Sequence, residues 1–252
     1  MSIERKKVID EFQAYVENYD MEDTKIRLKA DHTYRVAGLS EIIAKSLGLS
    51  GADVDLAWLI GMLHDLGRFD QLRQYGTFID AQSVDHALLA VEILFEEGTI
   101  RRFIQESEND ELIRSAIRYH NAYLLPEDLD ERTLQFCNLI RDADKIDIIR
   151  VNVEIPLEEI YNVSSEEIYQ SDVTEEVIAA LESGDTVLRS LKKTPADYLV
   201  GHISFVNGLV YPKSRQLMKE QGYLEKMLEF PTKNPDTKKQ FERMKRFILT
   251  KV

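Results

Sequence analysis

Apolar side chains return every three to four positions along nearly the whole chain. Val8, Phe12, Tyr15 and Tyr19 step by 4, 3 and 4 residues, which lines one face of a helix at its natural period. Strand-like alternation is almost absent. Start signals punctuate the pattern: Ser50 with Asp53 three residues on, Ser83 just ahead of an apolar run, and Thr194 followed by Pro195. Each is a residue type that satisfies or tolerates the free N–H groups of a helix start. Gly48, Gly67, Gly98 and Gly184 fall where helices would stop. The pattern predicts an all-α fold of about ten or more helices with short connections. No repeat and no low-complexity linker interrupts it.

Composition narrows the class. A chain of 252 residues, 44% of them hydrophobic, can bury roughly three quarters of its unfolded surface. It needs no disulfide or metal merely to stay folded, so a metal here would mean chemistry. The single cysteine, Cys137, cannot pair internally and sits among apolar neighbours, where it reads as a small buried hydrophobe. Lys plus Arg total 32 against 45 Asp plus Glu, a net charge of −13. Such a surface repels phosphate backbones and excludes long nucleic acid as a partner. Small phosphorylated molecules stay open if a metal supplies the positive charge. No stretch approaches the roughly 20 apolar residues that span a bilayer, and no apolar segment follows the basic start, so the expected setting is the cytoplasm, without membrane attachment.

Two segments shift in charge. Residues 154–185 carry the pairs Glu158-Glu159, Glu166-Glu167 and Glu175-Glu176, and residues 232–252 turn basic around an apolar stripe of Phe241, Met244 and Ile248. Both read as solvated helix faces, with the stripe docking the last helix. The alternative is that the basic end serves as an interaction element, a homodimer contact among them.

Candidate chemistry centres on histidine. Of five histidines, His32, His64, His86 and His120 lie within helical stretches. Singly, each has an ordinary explanation as a hydrogen-bonded core or surface residue. The pair His64-Asp65, inside the otherwise apolar stretch Leu59–Arg68, is harder to dismiss, because an ionised Asp buried there needs a partner. A cation is one. Reading Gly67 as the helix stop puts the pair in a last turn, where backbone carbonyls favour positive charge. Adjacent helix residues point about 100° apart, so further ligands must come from other helices. His32, in Asp31-His32-Thr33, and Asp144, in Asp142-Ala143-Asp144-Lys145, are the candidates.

The series His32, His64-Asp65 and Asp144 resembles the H…HD…D signature of the HD superfamily of metal-dependent phosphohydrolases, over roughly residues 25–150. The resemblance implies an all-α helical bundle as the core, over about residues 20–150, with a C-terminal helical extension over 151–252, in a single all-α domain spanning 1–252. His86 and His120 look like the additional histidines of dinuclear members. By that resemblance His32, His64, Asp65 and Asp144 hold one divalent transition metal, and His86, His120 and a bridging Asp65 hold a second. Imidazoles and carboxylates without thiolate suit Fe, Mn, Zn, Co or Ni better than Mg or Ca. Two such ions polarise a shared water and clamp phosphoryl oxygens during in-line displacement, so no protein nucleophile is required.

Arg68 at the mouth of the site and Lys145 beside Asp144 are the candidate catalytic and phosphate-binding cations. A surface salt bridge is the competing role for each. Asp31 and Asp85, each before a proposed ligand, either orient imidazoles or cap helices. The stretch from Arg73 through Tyr75 to Phe78 reads as a loop whose Arg73, Tyr75 and Phe78 read substrate, with packing or a turn as the equal alternative. His202 lies outside the motif, as a packed helix residue or part of a lid. The expected activity is hydrolysis of a small phosphate ester or nucleotide. The alternatives are a mixed-valent di-iron oxygenase of similar fold, whose sugar-cleaving members carry Lys where this chain has Arg68, and a non-catalytic nucleotide-sensing module.

Overall fold

The computed structural model describes residues 3–251, and every regular element among them is helical. Expected as one domain, the chain divides into two compact units, Met1–Asp144 and Lys145–Val252, a few residues ahead of the seam anticipated near residue 150. The division falls inside the long helix Glu131–Glu154.

The first unit contains α1 (Arg5–Val16), α2 (Thr24–Ser46), α3 (Gly51–Leu63), α4 (Gly67–Tyr75), α5 (His86–Val91), α6 (Ile100–Phe103), α7 (Asp110–Tyr119) and the first part of α8 (Glu131–Glu154). Val8, Phe12 and Tyr15 are buried along α1 as their spacing predicts. Tyr19 lies beyond the end of that helix, and its hydroxyl donates to Asp70 at 2.7 Å. Helix α3 is buried on all sides from Leu56 to Leu63, which is why its sequence is apolar all round. Its predicted cap holds, with Ser50 accepting from the Asp53 N–H.

α2 and α3 pack closely. A Cβ on Gly61 would stand 2.6 Å from Ala37 Cα, so two small residues let the backbones touch and bring His32 beside His64. Gly67 does not end a helix, contrary to the sequence reading. α3 stops at Leu63, His64 caps it, and Gly67 opens α4. Its missing side chain serves packing: a Cβ there would collide with the His86 carbonyl and stand 2.7 Å from Ala90 N. Gly48, Gly98 and Gly184 do take the left-handed conformation expected of helix stops. Ser83 is not a helix cap either. Asp85 takes that place and accepts from the Ala87 and Leu88 N–H groups, a carboxylate being favoured at the positive helix end. Arg73 and Tyr75, read as loop, form the last turn of α4, which ends at the left-handed Gly76.

The second unit holds the end of α8 with α9 (Leu157–Tyr161), α10 (Ser165–Gln170), α11 (Glu175–Glu182), α12 (Pro195–Ile203), α13 (Pro212–Gln221), α14 (Tyr223–Leu228) and α15 (Pro235–Ile248). The acidic pairs occupy the first turns of α9, α10 and α11, where they complement the helix dipole. Thr194 and Asp197 form a capping box ahead of α12. α15 buries Phe241, Met244 and Ile248. Its basic side pairs within the unit, Arg243 with Glu182 and Lys245 with Glu229. No described helix is long and apolar enough to cross a membrane.

Candidate metal centre

Five helices of the first unit converge on one polar cluster inside its apolar core. His32 comes from the middle of α2, His64 caps α3, Asp65 follows in the turn to α4, His86 opens α5, His120 caps α7 and Asp144 lies on α8. All six predicted ligands are brought together. The four imidazoles and Asp65 are at most 5% exposed.

Asp65 stands at the centre, and its two oxygens face different partners. Oδ2 is 3.6 Å from His32 Nε2 and 3.7 Å from His64 Nε2. Oδ1 is 3.4 Å from His86 Nε2 and 3.6 Å from His120 Nε2. Asp144 closes the first side, its Oδ1 3.1 Å from His32 Nε2 and 3.8 Å from His64 Nε2. The sets His32, His64 and Asp144, and His64, Asp65 and His120, each gather their ligand atoms within 4.8 Å.

The ring tautomers follow from what each Nδ1 meets. His64 Nδ1 donates to the Gly61 carbonyl at 2.8 Å and His120 Nδ1 to the Ile117 carbonyl at 2.7 Å. Both carbonyls lie three residues back, in the last helical turn, and a carbonyl only accepts. His86 Nδ1 lies 3.0 Å from both oxygens of Asp80. With Nδ1 carrying the hydrogen, a neutral ring turns an Nε2 lone pair toward Asp65. Burial pushes His64 and His86 down to about 4, so both are neutral near pH 7. Burial opposes ionisation of Asp65, but the Lys29 charge beside it outweighs this and holds the carboxyl well below the usual range. His32 does the same for Asp144.

These groups fit a divalent cation. His64 Nε2 is buried without a hydrogen-bond partner, which is costly for a polar atom unless something binds it. The Nε2 atoms of His86 and His120 approach to 3.0 Å, an arrangement that needs a proton or a cation to relieve two facing lone pairs. A third acidic group, Asp80, Asp85 and His86, is different. Asp80 accepts from Arg68, Gln71 and His86, and Asp85 caps α5 and accepts from Asn121, so no cation is called for.

Two participants escaped sequence reading. Lys29 sets its ammonium 2.7 Å from Asp65 Oδ2; its place three residues before His32 on α2, on the same helix face, was the available signal. Asp80 holds His86 from a short turn six residues upstream, a spacing with no helical logic, while Asp85, the carboxylate next to His86 in sequence, points into its own cap. Asp31 is exposed.

The predicted cations divide. Arg68 lies at the cluster with Nε 3.7 Å from Asp65 Oδ1, but its other end donates to Gln71, to the Phe78 carbonyl at 2.6 Å and to Asp80 at 2.9 Å. Arg73 turns away, onto Asp70 and the face of Tyr19. Tyr75 is 46% exposed at the end of α4. Lys145 belongs to the second unit, where its ammonium donates to the Gly208 carbonyl at 2.8 Å. His202 also lies there, its Nδ1 2.9 Å from both Asn152 Oδ1 and the Tyr161 hydroxyl. Cys137 is buried, which pushes its thiol up to about 11 and leaves it inert as a nucleophile.

Four imidazoles and two carboxylates gathered by an all-helical unit define a helical histidine–aspartate protein with groups that could hold a metal. Residues 30–149 match the family model of the HD domain, and this stretch of the chain is an HD domain. HD domains bind divalent metals and are for the most part metal-dependent phosphohydrolases. Neither a curated protein nor a solved structure matches the chain.

Proposed function

We propose that the chain hydrolyses small phosphate esters or nucleotides with two divalent transition ions, drawn from Fe, Mn, Zn, Co or Ni. His32, His64, Asp144 and Asp65 would hold one ion, and His86, His120 and Asp65 the other. The observation that carries this reading is the division of Asp65, one oxygen toward each histidine pair. Bound there, such ions lower the pKa of water toward neutrality and offset charge on the transferring phosphoryl group.

The remaining work falls to the chain's own residues. The hydrogen bonds at Nδ1 keep the His64, His86 and His120 rings in register before anything binds. Lys29 and Arg68 flank Asp65, one on each oxygen, and both lie over the Phe78 ring, at 5.5 and 5.8 Å from its centroid. A phosphate approaching Asp65 meets positive charge there, on a protein whose overall charge of −13 would otherwise repel it. Lys29 and Arg68 both reach Asp65, whereas Arg73 pairs with Asp70 and Lys145 donates to the Gly208 carbonyl, so Lys29 and Arg68 are favoured for this role. A cytoplasmic setting agrees with the buried, unpaired Cys137.

The test is phosphate release from sugar phosphates, nucleotides and dinucleoside polyphosphates with each metal in turn, against Asp65→Ala. Metal-dependent release that the variant loses is the expected result. Silence across the panel, or oxygen uptake by the iron-loaded protein in its place, would overturn it.

A further inference from the structure

Outside the metal cluster, one amine in the second unit stands in an environment that makes nucleophiles. Lys192 follows the short turn Arg189–Leu191, and its side chain lies along α12. It lies where Gly201 has no side chain: a Cβ on that glycine would collide with Lys192 Cε and Nζ and reach 3.2 Å from Cδ. The ammonium lies over the Tyr198 ring, 5.7 Å from its centroid. Among the described residues no carboxylate pairs with it, whereas neighbouring Lys193 pairs with Glu176 at 3.2 Å. Asp197, whose charge acts on Lys192, is buried and already accepts from the N–H groups of Thr174, Lys193 and Thr194. Lys192 is half-buried, so a small reagent can still reach it.

From this geometry we propose that Lys192 is a nucleophilic lysine, acylated by small anionic acyl donors of the acyl phosphate class. The donor class follows from Arg189, an exposed guanidinium one tight turn back, whose backbone carbonyl accepts from the Lys192 N–H at 3.1 Å. A cation there repels the ammonium and attracts a phosphate dianion. In the reaction the neutral amine attacks the acyl carbon, the C–N bond forms, the C–O bond of the mixed anhydride breaks, inorganic phosphate leaves, and the amine proton passes to solvent. No oxidant or metal takes part. The electrostatics agree: burial first, then Arg189, push Lys192 down to about 8 despite the opposing pull of Asp197. Desolvation and a neighbouring cation are the two recognised ways of activating a lysine amine.

The experiment treats the full chain with acetyl phosphate at pH 7.5 and follows acetylation of each lysine by peptide mass spectrometry. Lys192 should be acetylated about tenfold faster than the exposed Lys25 and Lys238. Gly201→Ala, which suits a helix better than glycine, should expel the side chain into water and return Lys192 to the rate of those references. Arg189→Gln should slow acetyl phosphate more than a neutral acyl donor. A rate at Lys192 no higher than at Lys25 and Lys238 would overturn the proposal, and so would an unchanged rate in folded Gly201→Ala. None of these readouts involves the metal cluster, so this proposal and the hydrolase reading stand or fall separately.

Discussion

Asp80→Asn is the sharpest perturbation of the candidate metal centre, because it leaves every proposed ligand in place. The Asp80 carboxylate accepts from His86 Nδ1 at 3.0 Å, from Arg68 at 2.9 Å and from Gln71 at 2.9 Å. Burial opposes its charge, but the hydrogen bond from His86 and the Arg68 charge hold the carboxyl far below its usual range. An amide has nearly the same shape but no charge, and only one of its two polar atoms accepts. Where Oδ1 stands its oxygen still meets Arg68, Gln71 and His86 but without charge, and where Oδ2 accepted from His86 Nδ1 it presents an NH2 donor instead. The His86 ring therefore loses its fixed tautomer and part of its basicity, which typically costs ten- to a hundredfold in metal affinity, about 1.4–2.7 kcal/mol. The effect should be one-sided, since the proposed ligand that Asp80 holds is His86. Metal counted by mass spectrometry after dialysis against a buffered ion should fall from two per chain toward one, while the tighter binding step in calorimetry stays put. Equal weakening of both steps, with an unchanged unfolding midpoint, would refute the division of the cluster into two halves. An unchanged count of two would refute the role of Asp80.

Three further outcomes follow from the same geometry. Chelator-treated protein should lose stability on acidification from pH 6.5 to 4, because His64 and His86 titrate near 4 when folded and near 6.5 when unfolded, so the unfolded chain binds protons first. Linkage gives up to about 3 kcal/mol for each histidine, and a Tm that does not move across that window would contradict their burial as neutral rings. Gly67→Ala should destabilise by about 1–3 kcal/mol in urea unfolding and reduce metal content by displacing His86, whereas Gly38→Ala, with open space at its Cβ, should be neutral or slightly stabilising. Lys29→Met removes a cation from Asp65 Oδ2, so metal should bind severalfold more tightly while phosphate release falls; a fall in both would make Lys29 a structural support only.

The parts legible in the sequence are those written in local periodicity or in rare residue types. Helix faces such as Val8, Phe12 and Tyr15 follow from spacing, and the six ligands stand out because His and buried Asp seldom occur in apolar helices without cause. What escaped reading is set by close approach between segments. Gly67 looks like a helix stop until α5 is seen lying on it, and Ser83 looks like a cap until Asp85 competes for the same N–H groups.

The same logic applies to the charges around the site. A cation beside a ligand in sequence need not share its partners: adjacent helix residues point about 100° apart and Lys145 donates to the Gly208 carbonyl, while Lys29, a turn before His32, reaches Asp65 in the turn between α3 and α4. Arg68 is correctly placed at the cluster, yet Asp80 holds one end of it. That bond ties the guanidinium to the group that orients His86, so any substrate that draws Arg68 toward itself must also disturb the support of His86. Phosphate recognition and the His86–His120 side of the centre are therefore expected to be coupled, whereas the His32–His64 side, joined to Lys29 through Asp65, is linked to substrate only through the bridge.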